Sequence, residues 1–219
     1  MTEADWLACG DPIAMLDALR GRAGERKLRL FAIACCRGIW HLLADERSRA
    51  AVAVTEQYAD GLVGRESLVA ARDEAREAKQ RFPRPAQVRA WRAAGAVQDA
   101  TRDNARSAAI NSAVEVCRAT NARDTNVCDA DDLRRWEALL RCIVGNPFRP
   151  AAADPAWLTP SVVVLSKAIY DERAFDRLAE LANALQDTGC NDTAFLAHCR
   201  EPGEHARGCW VVDTILGKA

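Results

Sequence analysis

Apolar residues recur at steps of three and four along most of this 219-residue chain, whereas alternating β-branched and aromatic runs are nearly absent. The segment from 25 to 43 shows the pattern clearly, because Leu28, Phe31, Cys35 and Ile39 would share one face of a helix. A single apolar stripe is typical of an amphipathic helix that packs on a core. The sequence therefore predicts an all-α protein of about eight helices in an orthogonal or bundle-like arrangement.

Local signals mark several helix ends. Asp11 followed by Pro12 has the side chains of an N-cap and a first helical residue. The run Gly145-Asn146-Pro147 would end the helix before it, since glycine and proline stop helices. The alanine-rich segment from 86 to 119 is predicted as one long helix or as two helices joined near Gly95.

The length suits one large domain, and we expect a single all-helical domain over residues 1–219. Polar residues cluster from 120 to 132, which predicts a loop. If the chain is subdivided, this loop would separate N-terminal helices in 1–120 from C-terminal helices in 131–219.

A short sequence echo raises the hypothesis of two related helix-turn-helix halves. The tripeptide Asp45-Glu46-Arg47 recurs as Asp171-Glu172-Arg173, and we expect each copy to begin a helix. A shorter helix with an acidic cap would follow each, near residue 66 and near residue 192. Self-similarity of this kind is the usual mark of a repeat fold.

Composition excludes some classes of partner. Thirty basic and 31 acidic residues nearly cancel and are scattered, so no charged surface is expected to attract nucleic acid or an anionic membrane. The start MTEADWLACGDP lacks a signal-peptide pattern, and no apolar run is long enough to span a bilayer. We therefore expect a cytoplasmic protein whose nine cysteines are reduced and mostly serve as small buried residues.

Cysteine and histidine converge in the last thirty residues. Cys190, Cys199, His205 and Cys209 could supply the four ligands of a zinc ion, and His198 is a further candidate to complete the set. The spacing is not that of a zinc finger, since CxxC and HxxxH are absent. His198 and Cys199 are adjacent, so on a helix they would point about 100° apart and rarely bind one metal.

Two other interpretations of these residues stay open. Each cysteine could be a core residue and each histidine a surface or capping residue. Alternatively, a thiol paired with an imidazole could act as a nucleophile, the candidates being Cys199 with His205 and Cys36 with His41. Neither pair has a recognisable third catalytic group, and the sequence contains no Walker loop, GxGxxG, GxSxG or HExxH motif.

Several stretches resemble a head and tail shared by a large paralogous family of uncharacterised bacterial proteins. They are MTEADWLACGDP and RKLRLFAIACCRGIWHLL near the start, then NPFRP (146–150), DPAWLTPSVVVL (154–165), AIYDERAFDRLAELANAL (168–185) and HCREPGEHARGCWVVDTILGK (198–218). The resemblance implies membership of that family but no activity, substrate or metal. The centre, about 63–130, lies outside it, which would suit a scaffold whose central helices adapt to different partners.

The function that the sequence favours is non-enzymatic. We expect a helical protein-interaction or regulatory module of unknown partner, because helices can offer apolar grooves to partner helices and no reactive constellation competes. A zinc-stabilised structural domain that uses the C-terminal Cys/His cluster is the first alternative. A thiol-dependent enzyme is the second.

Overall fold

The computed structural model describes residues 1–83, 86–121 and 128–218, and every regular element in these ranges is helical. The twelve α-helices there are α1 (Glu3–Ala8), α2 (Pro12–Ala18), α3 (Glu25–Gly38), α4 (Glu46–Ala59), α5 (Arg65–Gln80), α6 (Val88–Ala100), α7 (Ala105–Thr120), α8 (Ala130–Val144), α9 (Pro160–Glu172), α10 (Leu178–Asp187), α11 (Thr193–Arg200) and α12 (Trp210–Leu216). The all-α prediction is confirmed. The predicted number of about eight is too low, because short helices such as the six-residue α1 carry too few residues to show a period.

The chain divides into two compact units. Residues 9–137 form the N-terminal unit, and residues 138–219 together with 1–8 form the C-terminal unit. The division falls inside α8, whereas the predicted boundary was the polar loop at 120 to 132, of which residues 122–127 lie outside the described ranges. Buried apolar residues continue along α8 across this point, with Trp136 before it and Leu139 and Leu140 after it, so composition gave no sign of the division.

Small side chains form the interior of the N-terminal unit where α6 packs on α7. The buried face of α6 includes Ala93, Ala96 and Ala100, and that of α7 includes Ala108 and Ala113. Alanine on both helices lets the backbones approach closely, which explains why this segment has only a weak apolar stripe in the sequence. Gly95 lies in the interior of α6 and does not break the helix.

The break between α6 and α7 lies instead at residues 101–104. Asn104 is the N-cap of α7, and its side chain accepts a hydrogen bond of 2.8 Å from the Ser107 backbone N–H. Arg29 of α3, which is only 2% exposed, binds carbonyls at the end of α6 and in the residues that follow it. Its guanidinium donates to the backbone oxygens of Ala100 (3.1 Å), Arg102 (2.8 Å) and Asp103 (3.0 Å). A tertiary contact therefore helps to set this helix end.

Helices α9 to α12 enclose the core of the C-terminal unit. Its buried residues include Ile169, Leu181, Phe195 and Val212, one from each of these helices. The short α1 joins this unit through polar contacts with residues 141–146. Arg141 of α8 donates to the backbone oxygens of Trp6 and Leu7, each at 3.2 Å, and so caps the end of α1.

The tripeptide echo does not mark equivalent positions. Asp45 is the N-cap of α4, as predicted, but Asp171 and Glu172 are the last residues of α9. Arg173 then adopts the left-handed conformation (φ 55°) that ends α9. The prediction that Asp171 or Glu172 begins a helix is wrong, because the left-handed residue after them stops the chain from continuing as a helix. The echo gives no support to two related halves.

One pair of cysteines is oxidised. Cys117 and Cys128 are joined by a disulfide, and the other seven cysteines are not disulfide-bonded. The expectation that all nine are reduced is wrong for this pair, since the end of α7 and the residues before α8 bring the two sulfurs together.

A membrane-spanning helix is absent from the described part of the chain, where every helix is either too short or too polar to cross a bilayer.

The Arg29 contacts predict a large effect of removing this side chain. Arg29→Met would leave three carbonyls at the α6–α7 junction without their donor, and we expect a loss of about 2–4 kcal/mol in the free energy of unfolding. Urea unfolding followed by far-UV circular dichroism measures it. Arg20→Met is the matched control, because Arg20 is 70% exposed and its contact with Asp17 is 3.8 Å long. Equal stabilities for the two variants would contradict the role assigned to Arg29.

Candidate metal centre

Cys142 enters the site from the last turn of α8. This helix stops at Gly145, whose φ of +71° is the left-handed conformation that favours glycine. The Gly145 N–H donates to the Arg141 carbonyl at 2.9 Å, which closes the final turn. Cys142 is therefore held one turn before a fixed helix end, and it is 3% exposed.

The other three candidate ligands come from α11 and the segment that leads to α12. His198 lies in the last turn of α11, a helix that Asp192 caps by accepting from the N–H groups of Ala194 and Phe195. His205 follows in the connecting segment, and Cys209 is the N-cap residue of α12. The spacing in sequence is thus His-x6-His-x3-Cys, with Cys142 supplied from far upstream.

These four side chains form a group whose ligand atoms all lie within 4.8 Å of one another. The Sγ of Cys142 is 3.5 Å from Nδ1 of His205, and the Sγ of Cys209 is 3.2 Å from Nε2 of His198. Zinc binds cysteine sulfur at about 2.3 Å and histidine nitrogen at about 2.0–2.1 Å, so a tetrahedral site separates sulfur from nitrogen by roughly 3.5 Å. The two observed separations are close to that value.

The backbone selects which nitrogen of His205 faces the group. Nε2 lies 3.4 Å from the carbonyl oxygen of Glu201, and a carbonyl can only accept, so Nε2 carries the proton. Nδ1, the atom near Cys142, is then free of a proton in the neutral ring. Histidines that bind metals commonly donate their second N–H to a carbonyl in this way, which orients the ring.

Electrostatics favour a thiolate at Cys209. Burial of this fully enclosed side chain would raise the pKa of its thiol, but hydrogen bonds with Cys142, His198 and His205 together outweigh burial and hold the pKa well below the ordinary value. Burial likewise lowers the pKa of His205, but its hydrogen bonds with Cys209 and the Glu201 carbonyl, together with the charges of these neighbours, outweigh burial and raise the pKa above the ordinary value. Negative charge in the group therefore lies on the Cys209 sulfur, beside the ring nitrogens of the two histidines.

Aromatic rings surround the group on one side. The His198 ring lies 5.3 Å from that of Trp210 and 4.9 Å from that of His205, measured between centroids. Phe195 packs edge-on against Trp210 at 4.8 Å and against Trp157 at 5.6 Å. The Trp210 ring lies directly against Gly145, since a Cβ built on that glycine would be 2.9 Å from the indole Cγ.

Of the four ligands predicted from the sequence, the structure brings two into this group. His205 and Cys209 belong to it, whereas Cys190 and Cys199 are buried in the adjoining core and are not among its four ligand atoms. Burial raises the pKa of the Cys199 thiol to about 12, and the neighbouring Cys209 and Cys190 add to the rise. Their places in the group are taken by Cys142 and His198.

Helical geometry keeps two adjacent residues from facing the same site, but it does not determine which of the two faces it. His198 and Cys199 do point to different surroundings, and it is His198 that reaches the group. Cys142 lies on the apolar stripe of α8 beside Ile143, where a cysteine is indistinguishable from a core residue in sequence. Its position one turn before a glycine stop was the available signal.

The two thiol–imidazole pairs predicted from the sequence do not acquire catalytic geometry. Cys36 is fully buried, and burial raises the pKa of its thiol to about 12. Cys199 is 3% exposed, and the thiols that His205 contacts are those of Cys142 and Cys209. Neither cysteine has the lowered pKa and accessible sulfur of a nucleophile.

Comparison with protein-family models, with curated proteins and with solved structures finds no match to this chain. The resemblance to a paralogous bacterial family therefore stays a prediction.

The contact of Gly145 with Trp210 predicts that Gly145→Ala destabilises the C-terminal unit. A methyl group there would meet the indole and would also force a non-glycine residue into the left-handed region, so we expect a loss of about 2–4 kcal/mol. Thermal and urea unfolding measure it. Gly189→Ala is the matched control, because its φ is +87° but nothing lies within 4 Å of an added Cβ. It should lose only the conformational part, about 1 kcal/mol. Similar losses for both variants would contradict the packing role of Gly145.

Proposed function

We propose that the C-terminal unit is a zinc-stabilised structural domain that binds one zinc ion through Cys142, His198, His205 and Cys209. The observation that carries the proposal is the convergence of four ligand atoms within 4.8 Å from three separate stretches of chain. Two thiolates and two neutral imidazoles form a common ligand set of structural zinc sites. Because the ion would join α8 to α11 and to the start of α12, binding would stabilise the unit as folded.

The chemistry of the ligands favours zinc over other abundant cations. Magnesium and calcium prefer oxygen ligands, and the group contains none. Sulfur and imidazole together suit zinc in a tetrahedral arrangement. The proton on Nε2 of His205, held by the Glu201 carbonyl, leaves Nδ1 in the form that binds a metal.

A structural role is favoured over a catalytic one because the set supplies four protein ligands. A catalytic zinc usually has three and keeps the fourth position for water or substrate. Cys142 and Cys209 are also almost fully buried, at 3% and 0% exposure, so their sulfurs are shielded from a dissolved substrate. The same burial speaks against a thiol-dependent enzyme that uses Cys209, despite its lowered pKa. The protein-interaction role expected from the helical sequence stays a prediction.

Zinc content and thermal stability test the proposal directly. Protein prepared with zinc should contain one ion per chain, and removal by a chelator should lower the melting temperature by roughly 10 °C. Stability should return when zinc is added back. Affinity should fall as the pH is lowered, because protons compete for the thiolates and imidazoles that bind the ion. Purified protein that takes up no zinc, and is equally stable with chelator, would overturn the proposal.

A matched pair of variants distinguishes the ligand set seen in the structure from the set predicted by sequence. Cys142 and Cys190 are buried to the same degree in the same core, at 3% and 4% exposure. Cys142→Ala should weaken zinc binding by more than about 100-fold, since removing a ligand costs more than removing a partner of a ligand. Cys190→Ala should lower stability but keep one zinc per chain. The absorption spectrum of cobalt-substituted protein gives a second measurement, because thiolate ligands produce intense charge-transfer bands in the near ultraviolet whose strength falls when one thiolate is removed.

The opposite result would be equally informative. If Cys190→Ala and Cys199→Ala lose zinc while Cys142→Ala and His198→Ala keep it, the ion binds at Cys190, Cys199, His205 and Cys209, and the group described above is not the site.

A further inference from the structure

Cys117 and Cys128 stand apart from the other cysteines in the N-terminal unit. Their Cα atoms are 5.3 Å apart, inside the range of about 4.4–6.8 Å that disulfides require. Cys117 lies near the end of α7, and Cys128 precedes α8, so the bond joins the ends of two helices. Cys35 and Cys36, which are adjacent in sequence, are not disulfide-bonded.

We propose that Cys117 and Cys128 form a reversible redox site, which small-molecule disulfides such as oxidised glutathione convert from two thiols to a disulfide. The proposal is independent of the zinc site. It concerns a covalent modification, and it rests on where the fold places these two side chains.

Polar contacts between the same two helix ends hold the thiols near each other without the bond. The Thr120 hydroxyl donates to the Asp132 carboxylate at 2.8 Å, which links the last residue of α7 to the first turn of α8. The Asp132 N–H donates to the Asp129 side chain, also at 2.8 Å, and orders the start of α8. Reduction should therefore leave the two sulfurs close, which makes the bond easy to form again.

The two cysteines differ in solvent exposure, and this difference determines which thiol reacts first with the small-molecule disulfide. Cys117 is 1% exposed, whereas Cys128 is only partly buried. The Cys128 thiolate attacks one sulfur of oxidised glutathione, forms a mixed disulfide and releases one glutathione thiolate. The Cys117 thiolate then attacks the Cys128 sulfur and releases the second glutathione. Two protein thiols are oxidised, one glutathione disulfide is reduced, and the two protein protons pass to the two glutathione molecules.

Peptide mapping tests the site on the full-length protein. After incubation with oxidised glutathione and blocking of free thiols, trypsin should release the peptides 107–118 and 124–134 as one cross-linked species. Its mass should equal the two peptides less two hydrogens. Excess reduced glutathione should separate them. Cys128→Ser should abolish the cross-link, whereas Cys9→Ser, which removes another partly buried thiol, should leave it unchanged.

A stability measurement separates a specific site from random oxidation. Oxidised wild-type protein should melt roughly 5–10 °C above the reduced form, because the bond restricts the unfolded chain. Cys128→Ser should have the same melting temperature in oxidised and in reduced glutathione. The proposal fails if oxidation leaves only a stable mixed disulfide on Cys128, if Cys117 pairs with a different cysteine, or if both peptides stay reduced in oxidised glutathione.

Discussion

The close contact between Gly145 and Trp210 is the constraint on which the C-terminal unit depends. The indole occupies the space that a side chain at position 145 would need, so the end of α8 lies directly against the start of α12. Cys142 precedes this contact by one turn, and Cys209 is next to Trp210 in sequence. One packing contact therefore sets the separation between the two sulfurs of the candidate metal group. Helix α1 also contacts the end of α8, because the Trp6 indole N–H donates to the Gly145 carbonyl at 3.2 Å.

Features of the fold that depend on nearby residues could be predicted from the sequence. The N-caps Asp11, Asp45 and Asp192 and the stop at Gly145 are such cases, because each involves a side chain or a φ value acting within one turn. The end of α6 depends instead on Arg29, more than seventy residues upstream. The short α1 depends on Arg141 in the same way. No local pattern in the sequence carries this information.

The ligands of the candidate site show the same difference between residues close in sequence and residues brought together only by the fold. His205 and Cys209 lie close together in an unusual stretch and were visible as ligands, whereas Cys142 is separated from His205 by 63 positions along the chain. Only the packing of α8 against α11 and α12 reveals it. Choosing between His198 and Cys199 required knowing which side of α11 faces the core, and two adjacent residues of a short helix give no such information.

Burial alone does not decide what a cysteine does in this chain. Cys142, Cys190 and Cys199 share one core and are equally enclosed, yet only the first has a histidine nitrogen beside its sulfur. For Cys199, enclosure raises the pKa of the thiol and makes it inert. At Cys209 the hydrogen bonds with three side chains together outweigh the same enclosure, and a cation could take the place of the protons in the group. Zinc would protect those thiolates from oxidation by holding their electron pairs, while Cys117 and Cys128, which have only each other, would remain open to disulfide exchange. Both proposals can therefore hold in one chain under one redox condition.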